Sequence, residues 1–173
     1  KKWIQKPFNL SQSLTNKTIG IVGMGAIGKA FSKRAERLLM NIVYHGPNKK
    51  KIKYKYYKNL KQMAKTIDIM VITCIGGRST KNIINKEIIS SLKKSSLIIN
   101  VSRGSVIDEE YLLHALNKKA ITGAALDVFD GEPNINKKFL KLKNVILSPH
   151  NASGTIETRL KMAIMSRDNL YSF

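Results

Sequence analysis

The sequence predicts an α/β fold built on a doubly wound parallel sheet, and three observations support this. An apolar run at 19–22 leads into the glycine pattern Gly23-x-Gly25-x-x-Gly28, and a helical pattern follows directly. A second apolar run, at 41–44, comes where the next strand of a βαβ unit belongs. Further short apolar runs then alternate with helical patterns along the chain. This order is typical of a Rossmann-type domain.

Length and composition limit the class of protein. The chain has 173 residues, enough for one domain with a core of its own. The single cysteine, Cys74, excludes an internal disulfide and indicates a reducing compartment, so we expect a cytoplasmic protein. The most apolar stretch, 67–75, is too short to span a bilayer, and we expect no membrane partner. Because the chain begins with Lys1 and not Met, we expect a piece of a longer protein.

The chain is strongly basic, with a formal net charge of +20. Its lysines are spread along nearly the whole sequence, and the densest run is 49–55. We interpret this run first as a solvated loop and edge strand. The second interpretation is an electropositive rim that attracts an anionic cofactor or substrate. Nucleic-acid binding ranks third, and we predict no nucleic-acid partner.

The glycine motif predicts a cradle for the phosphates of a nucleotide. Its glycines allow a sharp turn, a close approach of backbone amides to a pyrophosphate and close packing of the next helix on the sheet. That helix begins near Ile27, and its N-terminus directs partial positive charge at the phosphates. Its apolar residues recur at helical spacing and are predicted to face the core: Ile27, Ala30, Phe31, Ala35, Leu38 and Leu39.

The end of the second strand bears on the choice of dinucleotide. NAD-selective cradles carry an Asp or Glu there, which accepts hydrogen bonds from the adenosine ribose. This chain has His45, Asn48 and the lysines at 49–51 instead. Neutral or positive donors suit a 2′-phosphate better than a ribose hydroxyl, so the sequence favours NADP over NAD.

The remaining elements follow from apolar runs and helical spacing. Strands are predicted at 67–73, 96–101, 121–126 and 145–147. Helices are predicted at 60–64, at 86–92, after the N-cap Asp108 with Glu109 and Glu110 in the first turn, and through Leu160, Met162 and Ala163. Residues 1–16, with Trp3, Pro7, Phe8 and Leu10, show no clear period and are interpreted as an entry segment.

The polar candidates share one position, just after an apolar run. His45, Cys74, Arg103, Asp127 and His150 all follow predicted strands. The carboxyl ends of parallel strands meet at one edge of a sheet, where open α/β sheets bind their ligands. We therefore expect these side chains to share one edge.

Three linked signatures carry a resemblance to a known family. They are Asn-Val-Ser-Arg-Gly-Ser-Val-Ile-Asp-Glu at 100–109, Ala-Leu-Asp-Val-Phe-Asp-Gly-Glu-Pro at 125–133, and Leu-Ser-Pro-His-Asn-Ala-Ser-Gly-Thr at 147–155. In this order they resemble the nucleotide-binding domain of the D-isomer-specific 2-hydroxyacid dehydrogenases. The resemblance runs from about Trp3 to Thr155.

The resemblance implies hydride transfer between NAD(P)H and a 2-oxo acid or D-2-hydroxy acid. It implies that Arg103 binds the substrate carboxylate, that His150 is the catalytic acid or base, and that Glu132 is its partner. Asp127 is implied to lie near the nicotinamide. The predicted cofactor contacts are Gly23, Gly25, Ala26, Ile27, Gly28, His45, Cys74, Ile75, Val101, Ser102, Asp127 and Ser153. His114 is interpreted as structural, Cys74 as a strand-end residue and not a nucleophile, and no metal site is predicted.

Two departures from the family pattern refine the expectation. The loop at 75–80 contains Gly76-Gly77, a variant that resembles NADP-dependent glyoxylate and hydroxypyruvate reductases. The Arg frequent between the second and third glycines is replaced by Ala26, which is tolerable because the backbone makes the contact.

The family's substrate domain is largely absent from the chain. We expect an entry segment at 1–16, an NAD(P)-binding Rossmann domain at 17–155 and, at 156–173, a helix leading toward the missing part. The chain alone should bind cofactor with weak or no turnover, and the resemblance implies a homodimer. An NAD-linked dehydrogenase of another 2-hydroxy acid and a non-catalytic, corepressor-like dinucleotide-binding module remain as alternatives.

Overall fold

A computed structural model describes residues 11–172; the predicted entry-segment residues Trp3, Pro7, Phe8 and Leu10 lie outside them. A seven-stranded sheet forms the centre of the fold, and every neighbouring pair of strands is parallel. The strands are β1 (Thr18–Val22), β2 (Asn41–His45), β3 (Lys55–Tyr57), β4 (Ile69–Ile72), β5 (Leu97–Asn100), β6 (Gly123–Leu126) and β7 (Val145–Leu147). The predicted doubly wound parallel sheet is confirmed.

The strand order β3-β2-β1-β4-β5-β6-β7 places β1 inside the sheet. The chain winds from β1 outward through β2 to β3, and then outward on the other side from β4 to β7. The connections therefore diverge between β1 and β4, which opens a crevice at their carboxyl ends. The edge strand β3 begins at Lys55, so the lysine run is a loop followed by an edge strand, as predicted.

Residues 11–172 contain five α-helices, of which the first four pack on the sheet: α1 (Ala26–Arg37), α2 (Leu60–Ala64), α3 (Lys86–Ser90), α4 (Glu109–Asn117) and α5 (Ile156–Tyr171). The cap predicted at Asp108 is present, since its side chain accepts a hydrogen bond from the Tyr111 amide at 3.0 Å. The central strands are shorter than the apolar runs that predict them. Ile67 and Ile121 are fully buried but precede β4 and β6, because burial continues into the connections while strand pairing does not.

The core has two parts, one on each face of the sheet. Alternate residues of β4 separate between them: Met70 and Ile72 pack with α2, α3 and α4, whereas Ile69 and Val71 pack on the side of α1. A strand buried on both faces must be apolar at every position, which is why these runs lack polar alternation.

The predicted core face of α1 is confirmed only in part: Ala35 is buried and Phe31 packs against the core. The buried residues are Gly28, Ser32 and Ala35, whereas Ile27, Leu38 and Leu39 are 61%, 54% and 67% exposed. Ala30 is also exposed and Phe31 is only partly buried. The cause is the short distance between α1 and the sheet: an added Cβ at Gly28 would lie 2.3 Å from the Gly23 carbonyl oxygen. Only small side chains fit there, so the large apolar side chains of Ile27, Leu38 and Leu39 lie outside this contact.

The final helix, α5, is confirmed, yet none of its residues is buried. Ile156, Leu160 and Met165 are among its exposed apolar side chains. Among the described residues, no helix combines the length and apolar character needed to cross a membrane.

Candidate active site

The glycine turn joins β1 to α1 at the crevice. Gly23 has φ 99°, and an added Cβ there would lie 2.5 Å from the backbone of Cys74, so only glycine fits. Gly25 precedes α1 and has nothing within 4 Å of an added Cβ. The first turn of α1 has no side-chain cap and no acidic residue. Its amides are therefore open to an anion from outside, as the phosphates of a dinucleotide require.

A cavity of about 410 Å³ adjoins this turn, within the size range of small-ligand sites. Three segments line it: the turn at 23–25, residues after β2 and residues after β4. Ile75 lies at its rim with 87% of its surface exposed. Thr73 closes its floor by donating a hydrogen bond from its hydroxyl to the Gly23 carbonyl at 2.7 Å. The switch point of the sheet therefore carries a cavity between the glycine turn and the residues that follow β2 and β4.

His45 lies at the end of β2, partly buried, and lines a neighbouring cavity of about 380 Å³ together with Lys58. Its Nδ1–H donates to the Tyr57 carbonyl at 2.9 Å, which leaves Nε2 as the ring nitrogen available to a ligand. Cys74 lies between the two cavities. Burial raises the pKa of its thiol, which keeps it protonated at neutral pH and agrees with its interpretation as a non-nucleophile.

The turn after β5 positions Arg103. Asn100 is buried, donates from its side-chain amide to the Arg103 carbonyl at 3.0 Å and accepts from the Ser102 amide at 3.0 Å. The Ser102 hydroxyl donates to the Cys74 carbonyl, which ties this turn to the end of β4. The exposed Arg103 guanidinium donates to the Ser102 carbonyl at 2.7 Å, and no carboxylate of the described residues pairs with it. Most of its donors therefore remain free for an anionic ligand.

Glu132 and His150 are joined by a hydrogen bond, with Nδ1–H donating to Oε2 at 2.7 Å. The second carboxylate oxygen accepts from the Phe129 amide at 2.8 Å. Burial by itself would raise the pKa of Glu132, but the hydrogen bonds from His150 and Phe129 and the charge of Arg103 lower it overall. Glu132 is therefore ionised near neutral pH and holds the ring so that Nε2 is left for a substrate.

Asp127 fixes the loop that carries His150. Its two oxygens accept from the amides of Asn151 at 2.8 Å and Ala152 at 3.0 Å. These bonds hold His150 at φ 54°, a left-handed conformation that non-glycine residues rarely adopt. Burial would raise the pKa of Asp127, but Ser148, the two amides and His150 lower it overall. A carboxylate accepts about four hydrogen bonds, so capacity remains for a cofactor amide.

Glu109 fixes the bend that follows β6. Its Oε1 accepts from the Asp130 amide at 2.7 Å, and Gly104 packs so closely on Phe129 and Asp130 that an added Cβ would overlap their backbone. Burial, followed by the charges of Asp130, Glu110 and Glu132, raises the pKa of Glu109. The bends after β5 and β6 are thus joined through their backbones.

The structure divides the predicted site residues between two regions of one sheet edge. Gly23, Gly25, Ala26, Ile27, Gly28, His45, Cys74 and Ile75 surround the switch point, and Val101, Ser102, Arg103, Asp127, Glu132, His150 and Ser153 follow β5 to β7. Ser153 is partly buried in the turn before α5. His114 is exposed on α4 and stacks on Tyr111, with ring centroids 5.6 Å apart.

Sequence reasoning missed Asn100 and Thr73 as supports of the site. Both are polar residues at or just after the end of an otherwise apolar strand run, which is a usable signal. A cavity of about 380 Å³ beside His150 and Glu132 was also not anticipated. Apolar side chains, among them Phe129, Leu140 and Leu147, provide much of its lining.

Comparison with known proteins gives a family match over most of the chain. Residues 1–152 match the family described as "D-isomer specific 2-hydroxyacid dehydrogenase, NAD binding domain". A 2-ketogluconate reductase of Gluconobacter oxydans is 39% identical over 173 residues, which is 99% of this chain and 56% of the relative. A glyoxylate/hydroxypyruvate reductase of Arabidopsis thaliana is 39% identical over 170 residues, 98% of this chain and 54% of the relative.

A solved structure gives the same relation. The NADPH-dependent glyoxylate/hydroxypyruvate reductase of Sinorhizobium meliloti, in complex with NADP and malonate, superposes with a TM-score of 0.92 at 38% identity, over 95% of this chain and 52% of that one. The chain thus spans about half the length of the relatives that it matches.

Proposed function

The chain belongs to the D-isomer specific 2-hydroxyacid dehydrogenases and corresponds to their NAD binding domain, and from this premise we propose that it is the cofactor-binding half of a 2-oxo acid reductase. The reductase would use NAD(P)H, and the reverse reaction would oxidise a D-2-hydroxy acid. The observation that carries the proposal is the His150–Glu132 pair, 2.7 Å apart, at the sheet edge that also carries Arg103 and the glycine cradle.

Each group has a role that this reaction needs. The dinucleotide supplies or accepts the hydride when it is bound. The Arg103 guanidinium binds the substrate carboxylate and polarises the neighbouring carbonyl. Nε2 of His150 donates a proton to the nascent alkoxide during reduction and takes it back during oxidation. Glu132 orients the imidazole through Nδ1, so that Nε2 faces the substrate.

The residues around the switch point fit a dinucleotide. Gly23, Gly25 and the first-turn amides of α1 would hold the pyrophosphate, and Asp127 would accept a hydrogen bond from the nicotinamide carboxamide. We propose NADP as the preferred cofactor, because no carboxylate follows β2 while His45 and the lysines at 49–51 do.

The relatives' names support a small 2-oxo acid such as glyoxylate or hydroxypyruvate as substrate. The remainder of the substrate pocket would come from outside this chain, which spans about half of each relative. We therefore propose that α5 leads toward that missing part and that the isolated chain binds cofactor with weak or no turnover.

The first test is calorimetric titration of this chain with NADPH and then NADH, at low and at moderate salt. We expect NADPH to bind at least about tenfold more tightly, a difference of roughly 1.4 kcal/mol. Equal or reversed affinities would contradict the NADP preference. Binding of neither dinucleotide would contradict the proposed function itself.

The chemistry is tested in the full-length protein with glyoxylate and hydroxypyruvate. We expect His150→Gln to lower kcat at least about 100-fold with little change in cofactor affinity, because the general acid is lost. His114→Gln is the matched control, since His114 is exposed on α4 and stacks on Tyr111. An equal loss of kcat in both variants would contradict the role of His150.

We also propose a homodimer in the cytoplasm. Ile27 at the start of α1 and Leu38 and Leu39 just after its end expose large apolar side chains that a second copy would cover. The free, partly buried Cys74 suits a reducing compartment. Sedimentation should show a dimer that Leu38→Glu dissociates and the control Leu170→Glu on α5 does not; a wild-type monomer would contradict it.

A further inference from the structure

Two tyrosine hydroxyls hold the loop that follows β2, here called the lysine loop (residues 46–51). Tyr44 in β2 is 1% exposed, and its hydroxyl accepts a hydrogen bond from the Lys50 amide at 2.7 Å. Tyr56 in β3 donates from its hydroxyl to the Gly46 carbonyl at 3.0 Å. The two rings lie side by side, with centroids 5.3 Å apart. The tyrosines therefore bind the backbone at both ends of the loop.

The rest of the lysine loop has little else to fix it. Residues 47–51 are exposed and belong to no helix or strand. An exposed loop without packing samples many conformations, and ordering it on ligand binding costs free energy. The two hydroxyls reduce this cost, because they restrict the loop before any ligand arrives.

The lysines near this loop differ in the partners available to them. Lys53 pairs with Glu36, and Lys55 lies over the Tyr57 ring at 4.8 Å from its centroid. Lys50 lines the cavity beside Gly25, and no carboxylate of the described residues lies within ion-pair distance of it. Lys50, the lysine that lines the nucleotide cavity, is thus also the residue whose backbone amide is bound to the Tyr44 hydroxyl.

We propose that Tyr44 and Tyr56 are positioning residues for cofactor selectivity. Their hydroxyls hold the lysine loop so that Asn48 and Lys50 meet the 2′-phosphate of NADP(H). The inference rests on the proposed function, because it takes the cavity beside Gly25 as the site of the adenosine ribose of a bound dinucleotide. A pre-positioned ammonium group and amide form charge-assisted hydrogen bonds with a phosphate dianion, which strengthen binding. A ribose hydroxyl forms only neutral or singly charged hydrogen bonds with them, so its binding gains much less.

The test compares NADPH and NADH affinity in Tyr44→Phe, Tyr56→Phe and the double variant of this chain. We expect each single change to weaken NADPH binding about threefold to tenfold and to leave NADH binding within about twofold. Phenylalanine keeps the ring packing and removes only the hydroxyl, and thermal unfolding monitors the fold. Tyr54→Phe is the matched control, because that hydroxyl bonds to Glu36, and both affinities should stay unchanged. Lys50→Ala should lower NADPH affinity directly.

The outcomes separate this inference from the proposed function. If the tyrosine variants keep the wild-type ratio of NADPH to NADH affinity, or lose both affinities equally, the positioning role is overturned while the cofactor site stands. If the wild-type chain binds NADPH no more tightly than NADH, the NADP preference fails and the positioning role fails with it. A selective loss of NADPH binding in both tyrosine variants, with Tyr54→Phe unaffected, supports the inference.

Discussion

The glycines of one motif meet different physical requirements. Gly28 is needed because α1 lies against the sheet, where an added Cβ would be 2.3 Å from the Gly23 oxygen and 3.1 Å from the Thr73 hydroxyl. Gly25 has open space around it and an ordinary φ of −83°. The absence of a side chain at Gly25 lets a ligand approach the N-terminus of α1. The absence of a side chain at Gly28 lets α1 pack closely on the sheet.

This difference predicts opposite outcomes for two alanine substitutions. Gly28→Ala should lower the free energy of unfolding by about 1–3 kcal/mol, because the blocking atom is backbone and α1 must shift. Gly25→Ala should leave stability within about 0.5 kcal/mol and weaken dinucleotide binding. Urea unfolding and cofactor titration measure the two effects. Equal stability of the two variants would contradict the close packing of α1.

Asp127 supports the His150 loop, and its charge has a pH signature. Its pKa is lowered in the folded chain, so the ionised carboxylate contributes stability above its unfolded pKa of about 3.9. This contribution is lost as the pH falls through the lower folded value. Asp127→Asn should cost about 1–3 kcal/mol at pH 7, because an amide group then faces a backbone amide. The difference from wild type should shrink below about pH 4.

Urea unfolding from pH 7 down to pH 3 tests this prediction. Asp130→Asn is the control, since Asp130 is exposed on the same bend and its side chain makes no hydrogen bond within the described residues. A cost for Asp127→Asn that is constant over this pH range would show that the charge is not the source of the stability.

At the scale of elements, two helices end in the same way without glycine. After α1, Leu39 has φ 59°, and the Met40 amide donates to the Ala35 carbonyl at 3.3 Å. After α4, Lys119 has φ 53°, and the Ala120 amide donates to the Ala115 carbonyl at 2.9 Å. Both ends have the geometry of a Schellman motif, whose left-handed residue is usually glycine.

Lys119→Gly should therefore stabilise the chain by about 1 kcal/mol, because glycine adopts the left-handed conformation without a steric cost. The expected readout is a higher midpoint of urea unfolding. Lys118→Gly is the matched control: Lys118 has φ −78°, so glycine brings no relief there and stability should stay equal or fall. A loss of stability in Lys119→Gly would contradict the strain assigned to this helix end.

The helix α1 shows how packing distance changes the meaning of a hydrophobic pattern. Apolar periodicity correctly predicted a helix after the glycines, but of its stripe only Ala35 is buried, because a helix close to a sheet buries small residues such as Gly28 and Ser32. The sequence predicted the positions of the strands more accurately than the buried face of α1. A central parallel strand needs apolar residues on both faces, and this leaves a continuous run in the sequence.

At the scale of the whole molecule, α5 stands apart from the core. None of its residues is buried, although it spans 16 residues and exposes several apolar side chains. An isolated helix of this length is only marginally stable in water. The sheet and the other four helices therefore supply the stability of the described fold.

Deletion of residues 156–173 should leave the free energy of unfolding of the monomeric chain within about 0.5 kcal/mol of the original. Urea unfolding at a concentration where sedimentation shows a monomer measures this. In the intact chain, the amides of α5 should exchange with solvent much faster than those of β4 and β5. Equal protection of α5 and β5 would contradict its isolation.

The sequence by itself determined the order of the strands and helices, the glycine turn and the side chains at the strand ends. These features are local: a buried strand requires an apolar run, and a phosphate turn requires glycine at fixed spacing. The roles predicted for Arg103, Asp127, Glu132 and His150 come from the family resemblance, because three signatures in one order carry more information than any single residue.

Only the tertiary structure decided which of these groups meet and what holds them. Three sets of hydrogen bonds join residues that are distant in sequence or separated by a turn. They link His150 to Glu132, Asp127 to the amides after His150, and the lysine loop to Tyr44 and Tyr56. Their distances depend on how strands are paired and how closely α1 approaches the sheet. Packing sets those quantities through many contacts at once, and no local pattern in the chain records them.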